Sequence, residues 1–547
     1  MARRAHAYPQ VSLLAADLVD GAVVAAPSGI TAADALRLGR RRHAGVVACG
    51  RDGHALVHDL ARAVALGLSD VPARELISPL PVLEPRATEA EVRRHLARGA
   101  PAVVVAGRGR ALGVVTRGPE PRTLPITARL ASTLPPATLA LLGDIARLAA
   151  AHGARAFLAG GLVRDLWRGE RGAARDLDVV VEGDAPAVAR SLADALGGAL
   201  VEHERFLTAS VTGPLGRVDL VTARSERYEA PGALPRVLPA SIAQDLRRRD
   251  FTVNAMAVEL GGESFELLDP LGGTEDLARK RLRILHPLSF VEDPTRILRA
   301  ARYATRLSLA PDRWTERCQA LALRLAPYPA LSGQRIAAEL ERVLAEPRPA
   351  EVLRRLLRAG ALRLLDARYK FTGATARRLD ALGDALAWSA THRLTGALPL
   401  AALALTADQP PAVADACLAR LGLAGEPRAR VERARDAGRR EAAVAGAATR
   451  SAVARALRAA SGVELAWLRL VSAPRVRERV EWYVTDGRHV ASSLSGDDVV
   501  ALGVSRGPAV AEALGRLRDA RLDGAVIDRD DEVGYVRALT SETERKG

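Results

Sequence analysis

The chain has 547 residues, with 79 lysines and arginines against 64 aspartates and glutamates, and a formal net charge of +15. This length predicts three or four domains at about 150 residues each, and the positive charge favours a polyanionic partner. No run of about 18 apolar residues is present, which argues against a membrane partner, and Cys49, Cys318 and Cys417 form no metal or disulfide motif, so we expect a cytoplasmic protein with reduced thiols.

Residues 11–120 carry the same order of elements twice. In each half, a helical pattern precedes an apolar strand, and a turn and a second strand follow. The first half places SGITAADALRLGRRR before HAGVVACG, and the second places PRATEAEVRRHLARG before APAVVVAG. The two halves resemble a tandem pair of CBS motifs, which form an α/β module. The resemblance implies either an adenine nucleotide in the cleft of the pair or a purely architectural role.

Prolines punctuate the next stretch, and residues 121–137 are therefore predicted to be a linker. Helical apolar spacing then runs from Leu139 to Ala151 and leads to an apolar strand at Phe157. This helix and strand open the next predicted domain, residues 138–275.

A glycine turn follows that strand. The chain from Phe157 to Ala185 reads as a strand, the pair Gly160 and Gly161, a short helix and a second strand. Because glycine has no side chain, the turn can bring backbone N–H groups close to a phosphate. Arg164 lies in the first turn of the helix and is a further candidate phosphate ligand.

The second strand carries two acidic residues, Asp176 and Asp178, which alternate with apolar residues and project from one face. Carboxylates this close repel each other unless a cation lies between them, and oxygen ligands suit Mg²⁺. A lone DxD is more often a surface strand or a cap, but next to a glycine turn it indicates nucleotidyl transfer. The later strand GRVDLVTAR supplies Asp219 as a candidate third carboxylate, with a salt-bridged strand-end residue as the alternative.

The segment EDPTRILRAARYATRL is informative about specificity. Asp293 and Arg296 are three residues apart at the predicted start of a helix, and Arg299 and Arg302 continue the same face. A carboxylate can accept from an exocyclic amine and a guanidinium can donate to a ring nitrogen or carbonyl, so this pair can read the edge of a nucleotide base. The alternative is an ion pair on a solvated helix.

Five motifs in order resemble the signature of the class II tRNA nucleotidyltransferase and bacterial poly(A) polymerase family, within the DNA polymerase β-like nucleotidyltransferase superfamily. They are the glycine turn with its DxD strand, RRRDFTVNAMAV, DPLGGTEDL, EDPTR and SGQRIAAELERVL. The stretch from Thr222 to Tyr228 also resembles the family's TxRxExY pattern. Within RRRDFTVNAMAV, the resemblance assigns Arg249, Asp250 and Asn254 to the nucleotide sugar and triphosphate.

The resemblance also implies the fold and the cofactor. We expect a multidomain α/β plus all-α protein: the CBS-like module, a polymerase β-like head with a mixed sheet over residues 138–275, a helical neck over 276–365, and a helical body and tail over 366–547 that bind tRNA. Asp176 and Asp178 are expected to bind two Mg²⁺ ions.

The implied activity is template-independent addition of nucleotides from CTP and ATP to the tRNA 3′ end, in CCA-end synthesis or repair. Two activities of the same family remain open, addition of the terminal A alone and poly(A) synthesis, because several branches of the family share these motifs. The CBS-like pair and the PGALP loop resemble long A-adding members. An alternative of another class is a non-catalytic RNA-binding or adenine-nucleotide-sensing protein. The intact DxD and EDxxR patterns argue against it.

Overall fold

The structure is a computed structural model that describes residues 13–116, 123–170, 176–203, 207–261 and 265–544. It divides into two compact units, Met1–Leu331 and Ser332–Gly547. The predicted boundaries at residues 275/276 and 365/366 do not coincide with this division. The first part of the predicted neck belongs to the same unit as the head because it packs there: Phe251 forms a β-bridge with Ile284.

The N-terminal module repeats one order of elements, as the sequence predicts. Its elements are β1 (Ala22–Ala26), α1 (Ala32–Arg41), β2 (Ala44–Cys49), β3 (His54–Leu56), α2 (Val57–Ala65), β4 (Ile77–Ser78), β5 (Val82–Leu83), α3 (Glu89–Ala97), β6 (Val103–Gly107) and β7 (Arg110–Val115). β1 pairs with β2 in parallel and β2 with β3 antiparallel, and β5, β6 and β7 repeat this arrangement. Thr31 and Thr88 cap the helix that follows the first strand of each half.

The head comes next in the chain. Its elements are β8 (Thr123–Pro125), α4 (Thr127–Thr133), α5 (Pro136–Ala151), β9 (Arg155–Ala159), α6 (Gly161–Arg168), β10 (Asp176–Glu182), α7 (Ala185–Leu196), β11 (Ala199–His203), β12 (Thr208–Gly213), β13 (Gly216–Thr222), β14 (Arg224–Arg227), β15 (Arg236–Pro239), α8 (Ile242–Arg247), β16 (Ala257–Glu259) and β17 (Glu266–Leu268). Eight of the described strands form one sheet in the order β11-β12-β13-β10-β9-β16-β17-β8. β10 runs parallel to β13 and antiparallel to β9, which confirms the predicted mixed sheet.

The two faces of this sheet have different surroundings. Val179 and Val181 of β10 join the main core together with α5 and α7. Val180 belongs instead to a smaller cluster with Ile242 and Leu246 at the two ends of α8. Because strand side chains alternate, Asp178 shares the face of Val180 and lies opposite α5 and α7.

The prediction of a linker over residues 121–137 is wrong where the structure describes that segment. β8 pairs with β17 at the edge of the sheet, and Leu130 of α4 is buried in the main core. Pro125 occupies an edge strand and Pro136 the first position of α5, two places where proline is tolerated. The prolines therefore mark the ends of elements rather than an extended connection.

Short elements and helices follow the head. The remaining elements of the first unit are α9 (Gly273–Ala278), β18 (Arg281–Leu282), α10 (Ser289–Glu292), α11 (Thr295–Arg306), β19 (Ala310–Pro311) and α12 (Arg313–Leu325). The second unit contains α13 (Gly333–Leu344), α14 (Pro349–Arg358), α15 (Gly373–Thr391), α16 (Ala397–Thr406), α17 (Pro411–Arg420), α18 (Gly425–Arg435), α19 (Gly438–Gly446), α20 (Arg450–Leu457), α21 (Gly462–Val471), α22 (Pro474–Thr485), α23 (Gly496–Ala501), α24 (Pro508–Leu522) and α25 (Arg529–Glu544). The predominantly helical character predicted for this region is confirmed.

Burial in the second unit follows the Leu/Ala pattern of its helices. Residues 400–406 of α16 are all buried, so this helix lies at the centre of the unit. In the described part of the chain, none of the helices combines the length and apolar character that crossing a membrane requires. The three cysteines are buried free thiols.

Candidate active site

One cleft in the first unit brings together most of the residues that the sequence singles out. It has a volume of about 810 Å³, and seven arginines and five carboxylates are among the described residues that line it. Asp178 is one of these carboxylates. All ten predicted nucleotide-binding residues line the cleft: Gly160, Gly161, Arg164, Arg249, Asp250, Asn254, Asp293, Arg296, Arg299 and Arg302. The density of guanidinium groups suits a polyphosphate ligand.

The acidic edge of the site is formed by the neighbouring strands β10 and β13. In their parallel register, Asp178 is paired with Asp219, and Asp176 with Arg217. Since adjacent strands lie about 4.8 Å apart, Asp178 and Asp219 are side by side on one face of the sheet. Asp219 accepts hydrogen bonds from the hydroxyl of Ser210 and from Nε of Arg217, the latter at 2.8 Å.

These carboxylates fit a hard cation. Asp178 is exposed, whereas Leu177 and Val179 on either side of it are buried. The neighbouring carboxylates of Asp178 and Asp219 repel each other, and oxygen ligands of this kind are the ones that Mg²⁺ takes. The side chain of Asp176 lies outside the described residues. Among the side chains that are described, no group of three His, Cys, Asp or Glu is close enough to hold a metal.

The turn that starts α6 depends on glycine. Gly160 has φ +82° and ψ −135°, a conformation that residues with side chains rarely adopt. A Cβ atom on Gly160 would lie 2.9 Å from Nη1 of Arg249, so this guanidinium packs directly against the turn. Gly161 and Leu162, in the first turn of α6, line the cleft. Their N–H groups lack acceptors within the helix and can therefore be offered to a phosphate.

We expect Gly160→Ala to destabilise the head by about 1–3 kcal/mol, because alanine must hold a glycine-only backbone conformation and displace the Arg249 guanidinium. Thermal unfolding of the variant measures this loss. Gly161→Ala is the matched control, since its Cβ would meet the nearest atom, Nη2 of Arg164, at 3.6 Å, an ordinary contact. An equal loss of stability in both variants would contradict the special role of Gly160.

A chain of buried hydrogen bonds supports the cleft. Arg164, whose side chain is 3% exposed, pairs with Asp165 and donates from Nη1 to Oδ1 of Asn254 at 2.7 Å. Nδ2 of Asn254 donates to Asp250 at 3.0 Å, and Nε of Arg299 donates to the same carboxylate at 2.8 Å. Burial alone would raise the pKa of Asp250, but Arg299 and Asn254 lower it to about 2. Both ends of the Asn254 amide are already bonded here, so its predicted ribose contact stays a prediction.

Arg248 and Arg249 are held by a carboxylate that sequence reasoning missed. Asp245 is fully buried and accepts hydrogen bonds from Nη2 of Arg248 at 2.7 Å and Nη2 of Arg249 at 2.9 Å. Burial alone would raise the pKa of Asp245, but the two guanidinium groups outweigh burial and hold the pKa below its usual value. The sequence signal for this contact is the spacing, since Asp245 precedes Arg248 and Arg249 by three and four residues at the end of α8.

Asp293 lies in the turn between α10 and α11, rather than at the start of a helix as predicted. Pro294, which has no N–H to donate, occupies the N-cap position of α11. The hydroxyl of Thr295, the first residue of α11, donates a hydrogen bond to Asp293 at 2.6 Å. Arg296 is buried and donates to the backbone carbonyl of Arg248 at 2.8 Å. Both members of the proposed base-reading pair still line the cleft.

An aromatic ring was also missed. Tyr303 lies among the guanidinium groups of Arg164, Arg299 and Arg302, whose Cζ atoms are 5.5, 5.8 and 4.8 Å from the ring centroid. These distances are within the range of cation–π attraction. The sequence signal for Tyr303 is its position four residues after Arg299, which puts the two side chains on one face of a helix. Other charged or aromatic lining residues for which no site role was predicted are Asp165, Glu226, Tyr228, Arg248 and Arg306. The TxRxExY pattern is the sequence signal for Glu226 and Tyr228.

Known proteins share both the sequence and the fold. Residues 156–283 match the family described as the poly A polymerase head domain. The A-adding tRNA nucleotidyltransferase of Geobacter sulfurreducens is 35% identical over 413 residues, which are 73% of this chain and 47% of that protein. The chain therefore spans about half the length of that relative. The CC-adding tRNA nucleotidyltransferase of Deinococcus radiodurans is 38% identical over 413 residues, 74% of this chain and 94% of that protein.

Solved structures of CCA-adding enzymes have a similar fold over most of this chain. The Thermotoga maritima CCA-adding enzyme, complexed with tRNA, superposes with a TM-score of 0.64 at 25% identity, over 76% of this chain and 99% of that chain. Complexes of a CCA-adding enzyme with ATP and with CTP match over the same shares of the two chains, each with a TM-score of 0.65 and 25% identity. Given its identity to the Deinococcus protein over almost all of that protein's length, the chain belongs to the class II tRNA nucleotidyltransferase family.

Proposed function

We propose that this protein is a template-independent tRNA nucleotidyltransferase that adds nucleotides from CTP and ATP to the tRNA 3′ end. The observation that carries the proposal is the cleft, where all ten predicted nucleotide-binding residues meet Asp178. Seven arginines there suit a triphosphate, and exposed Asp178 beside Asp219 suits a cation. Family membership and the tRNA, ATP and CTP complexes of the solved relatives support the same substrates.

The proposed metal ligands are Asp176 and Asp178, with Asp219 as the third carboxylate. Two Mg²⁺ ions bound there would lower the pKa of the RNA 3′-hydroxyl and neutralise charge on the triphosphate. Asp219, which is bonded to Ser210 and Arg217, is proposed to bind metal or to accept the hydroxyl proton.

The chain's own residues would position the nucleotide. The glycine turn and Arg249 offer donors to the phosphates, and the buried network through Asn254 holds Arg164 and Asp250 in fixed orientations. Holding the reactants in line supplies much of the rate enhancement in such transfers.

Nucleotide selection is proposed to rest on Asp293 and Arg296. Asp293 is partly exposed at the cleft, and one of its oxygens accepts a hydrogen bond from Thr295. Arg296 is fixed by its bond to the carbonyl of Arg248, so its guanidinium presents a constant edge to the cleft. A carboxylate and a guanidinium held in this way can read the edges of adenine and cytosine without a template.

We expect Asp293→Ala to change the preference between CTP and ATP by about tenfold or more, the effect of losing a hydrogen bond to a charged group. Asp293→Asn is the matched variant, because it retains an acceptor for Thr295 while losing the charge. The measurement is kcat/KM for each nucleotide with the same RNA primer. An unchanged preference in Asp293→Ala would refute the base-reading role.

The helical unit is proposed to bind tRNA through phosphate contacts. A pocket of about 850 Å³ in this unit is lined by five arginines and four carboxylates, with Arg439 and Arg458 among the arginines. Arg430 and Arg433 pair there with Glu426, and Arg440 pairs with Glu464. The net charge of +15 on the whole chain favours the same kind of partner.

The N-terminal module is proposed to be a tandem CBS-like pair. The repeated strand–helix–strand–strand order of its two halves supports this assignment. An adenine nucleotide is the ligand class proposed for its cleft, and a purely architectural role is the alternative.

The test is incorporation of labelled CTP and ATP, separately and together, in the presence of Mg²⁺. The substrates are a tRNA transcript lacking CCA, one lacking the final A, and an unrelated RNA. Addition of C and then A indicates a CCA-adding enzyme, C alone a CC-adding enzyme, and A on the CC-ended transcript alone an A-adding enzyme. Long A tails on any RNA would indicate a poly(A) polymerase, and no incorporation would favour a non-catalytic RNA-binding protein.

A further inference from the structure

The N-terminal module contacts the head directly behind the base-reading turn. Arg62 on α2 places its Nε 2.8 Å from Oε1 of Glu292, the last residue of α10. The Arg62 side chain is 35% exposed and that of Glu292 is 3% exposed, so the ion pair closes over a buried carboxylate. The other carboxylate oxygen of Glu292 faces Nε2 of His286 at 3.4 Å.

Arg62 matters to the charge of Glu292. Burial raises the pKa of Glu292 to about 7, even though Arg62 and Arg296 act in the opposite direction. His286 is itself buried, and burial lowers its pKa well below the usual value, so His286 is neutral and adds no positive charge to the carboxylate. Without Arg62, the ionised form of Glu292 would lose its close ion-pair partner.

Glu292 in turn is connected to two segments that line the cleft. It immediately precedes Asp293, so displacement of Glu292 moves the proposed base-reading carboxylate. The N–H of Gly232 donates to two neighbouring backbone carbonyls, that of Val291 at 3.1 Å and that of Glu292 at 3.2 Å. Gly232 lies in the connection between β14 and β15, in which Tyr228 and Pro235 line the cleft.

We propose that Arg62 of the N-terminal module is a positioning residue for nucleotide selection, acting through Glu292 on Asp293 and on the β14–β15 connection. This inference rests on the proposed function of the cleft. It gives the module an indirect part in choosing the nucleotide, since Arg62 precedes Asp293 by more than 200 residues and does not line the cleft.

The alternative is that the module only docks on the rest of the first unit and has no influence on nucleotide choice. Other contacts between the module and the rest of this unit allow the two possibilities to be distinguished. Glu75 forms an ion pair with Arg324 of α12 at 3.0 Å, and Nε1 of Trp314 donates to the carbonyl of Ile77 at 2.8 Å. Unlike Glu292, which directly precedes Asp293, none of these four residues is adjacent in sequence to a residue that lines the cleft. If the module merely docks, loss of the Glu75 ion pair should have the same effect as loss of the Arg62 ion pair.

The experiment uses the full chain with Arg62→Met, Arg62→Lys, Glu292→Gln, the double variant Arg62→Met/Glu292→Gln, and Glu75→Gln as the matched interface control. KM and kcat for CTP and ATP are measured in the incorporation assay, and affinities for both nucleotides by equilibrium titration. Thermal unfolding establishes that each variant is folded.

Arg62→Met is expected to raise KM by about tenfold, within the coupling found inside one charge network, with kcat within about twofold, and to shift the CTP/ATP preference in the direction of Asp293→Ala. Arg62→Lys should recover part of the loss, and Glu75→Gln should behave as the unmodified chain. The double variant should be no worse than the more impaired single variant, since both changes break one connection.

Unchanged nucleotide affinity and preference in Arg62→Met would overturn the inference while leaving the proposed function intact. Equal effects of Arg62→Met and Glu75→Gln would overturn it in favour of simple docking, and additive losses in the double variant would show that Arg62 does not act through Glu292. If the unmodified chain neither binds nor incorporates nucleotides, the proposed function fails and the inference falls with it.

Discussion

Replacing Asp178 by alanine is expected to abolish nucleotide transfer without unfolding the head. Asp178 is exposed at the wall of the cleft and is paired in register with Asp219, so its carboxylate is not part of the packed core and is the proposed cation ligand. Loss of one preorganised charged group from a reacting centre costs about a hundredfold to a thousandfold in rate, and loss of a metal ligand should cost at least as much. Single-turnover incorporation measures the loss.

Stability should respond differently from rate. An exposed substitution changes the free energy of unfolding by about 0.5 kcal/mol or less, so Asp178→Ala should unfold at the same temperature as the unmodified chain. The matched control is Asp194→Ala, an exposed aspartate on α7, across the sheet from the cleft, which should retain full transfer. Turnover retained in both Asp176→Ala and Asp178→Ala would reject these residues as metal ligands.

Asp245→Ala is expected to give the largest loss of stability among these substitutions, about 3 kcal/mol, because Arg249 loses its buried carboxylate partner while Arg248 keeps only its ion pair with Glu226. Arg248 and Arg249 would lose their shared acceptor, although their side chains are only 18% and 17% exposed. The backbone N–H of Arg224 would lose an acceptor as well. Nucleotide affinity should fall with stability, because Arg248 and Arg249 line the cleft. Urea-dependent hydrogen exchange of the head measures the change in stability.

The contribution of Asp245 to the free energy of unfolding should decrease at acidic pH. Its pKa in the folded state lies below the unfolded value, so its stabilising contribution is present above the unfolded pKa, near 4, and is lost as the pH falls through the folded pKa. The difference between Asp245→Ala and the unmodified chain should therefore shrink at acidic pH. Asp144→Ala is the control, since Asp144 and Arg147 form the same i,i+3 pair on an exposed surface, where about 0.5 kcal/mol is expected. Equal losses in the two variants would show that burial is not the cause.

Local patterns were sufficient to predict the glycine turn, the DxD strand and the arginines that line the cleft. Each of these features depends on residues close together in the sequence, where strand alternation and helix spacing set direction. The spacing of Asp293 from Arg296 predicts that both residues lie in one helix. Proline at the N-cap separates Asp293 from that helix but keeps it at the cleft.

Other features could not be inferred from local patterns because they arise on folding. Asp245 becomes an anchor through its burial, and a polar sequence around it gives no sign of that burial. The ion pair between Arg62 and Glu292 joins residues far apart in the chain. The linker prediction failed for a related reason: Leu130 belongs to the core through contacts with later elements, whereas the composition around it is rich in proline.

Strand β8 limits where the head can be separated from the module that precedes it. A fragment starting at residue 138 would lack β8 and leave β17 as an open edge. It would also lack Ile126, Leu130 and Leu134, and so uncover apolar side chains of the main core. Open strand edges beside uncovered apolar surface are templates for aggregation. Recombination that exchanges the N-terminal module would therefore have to keep residues from 123 onward with the head.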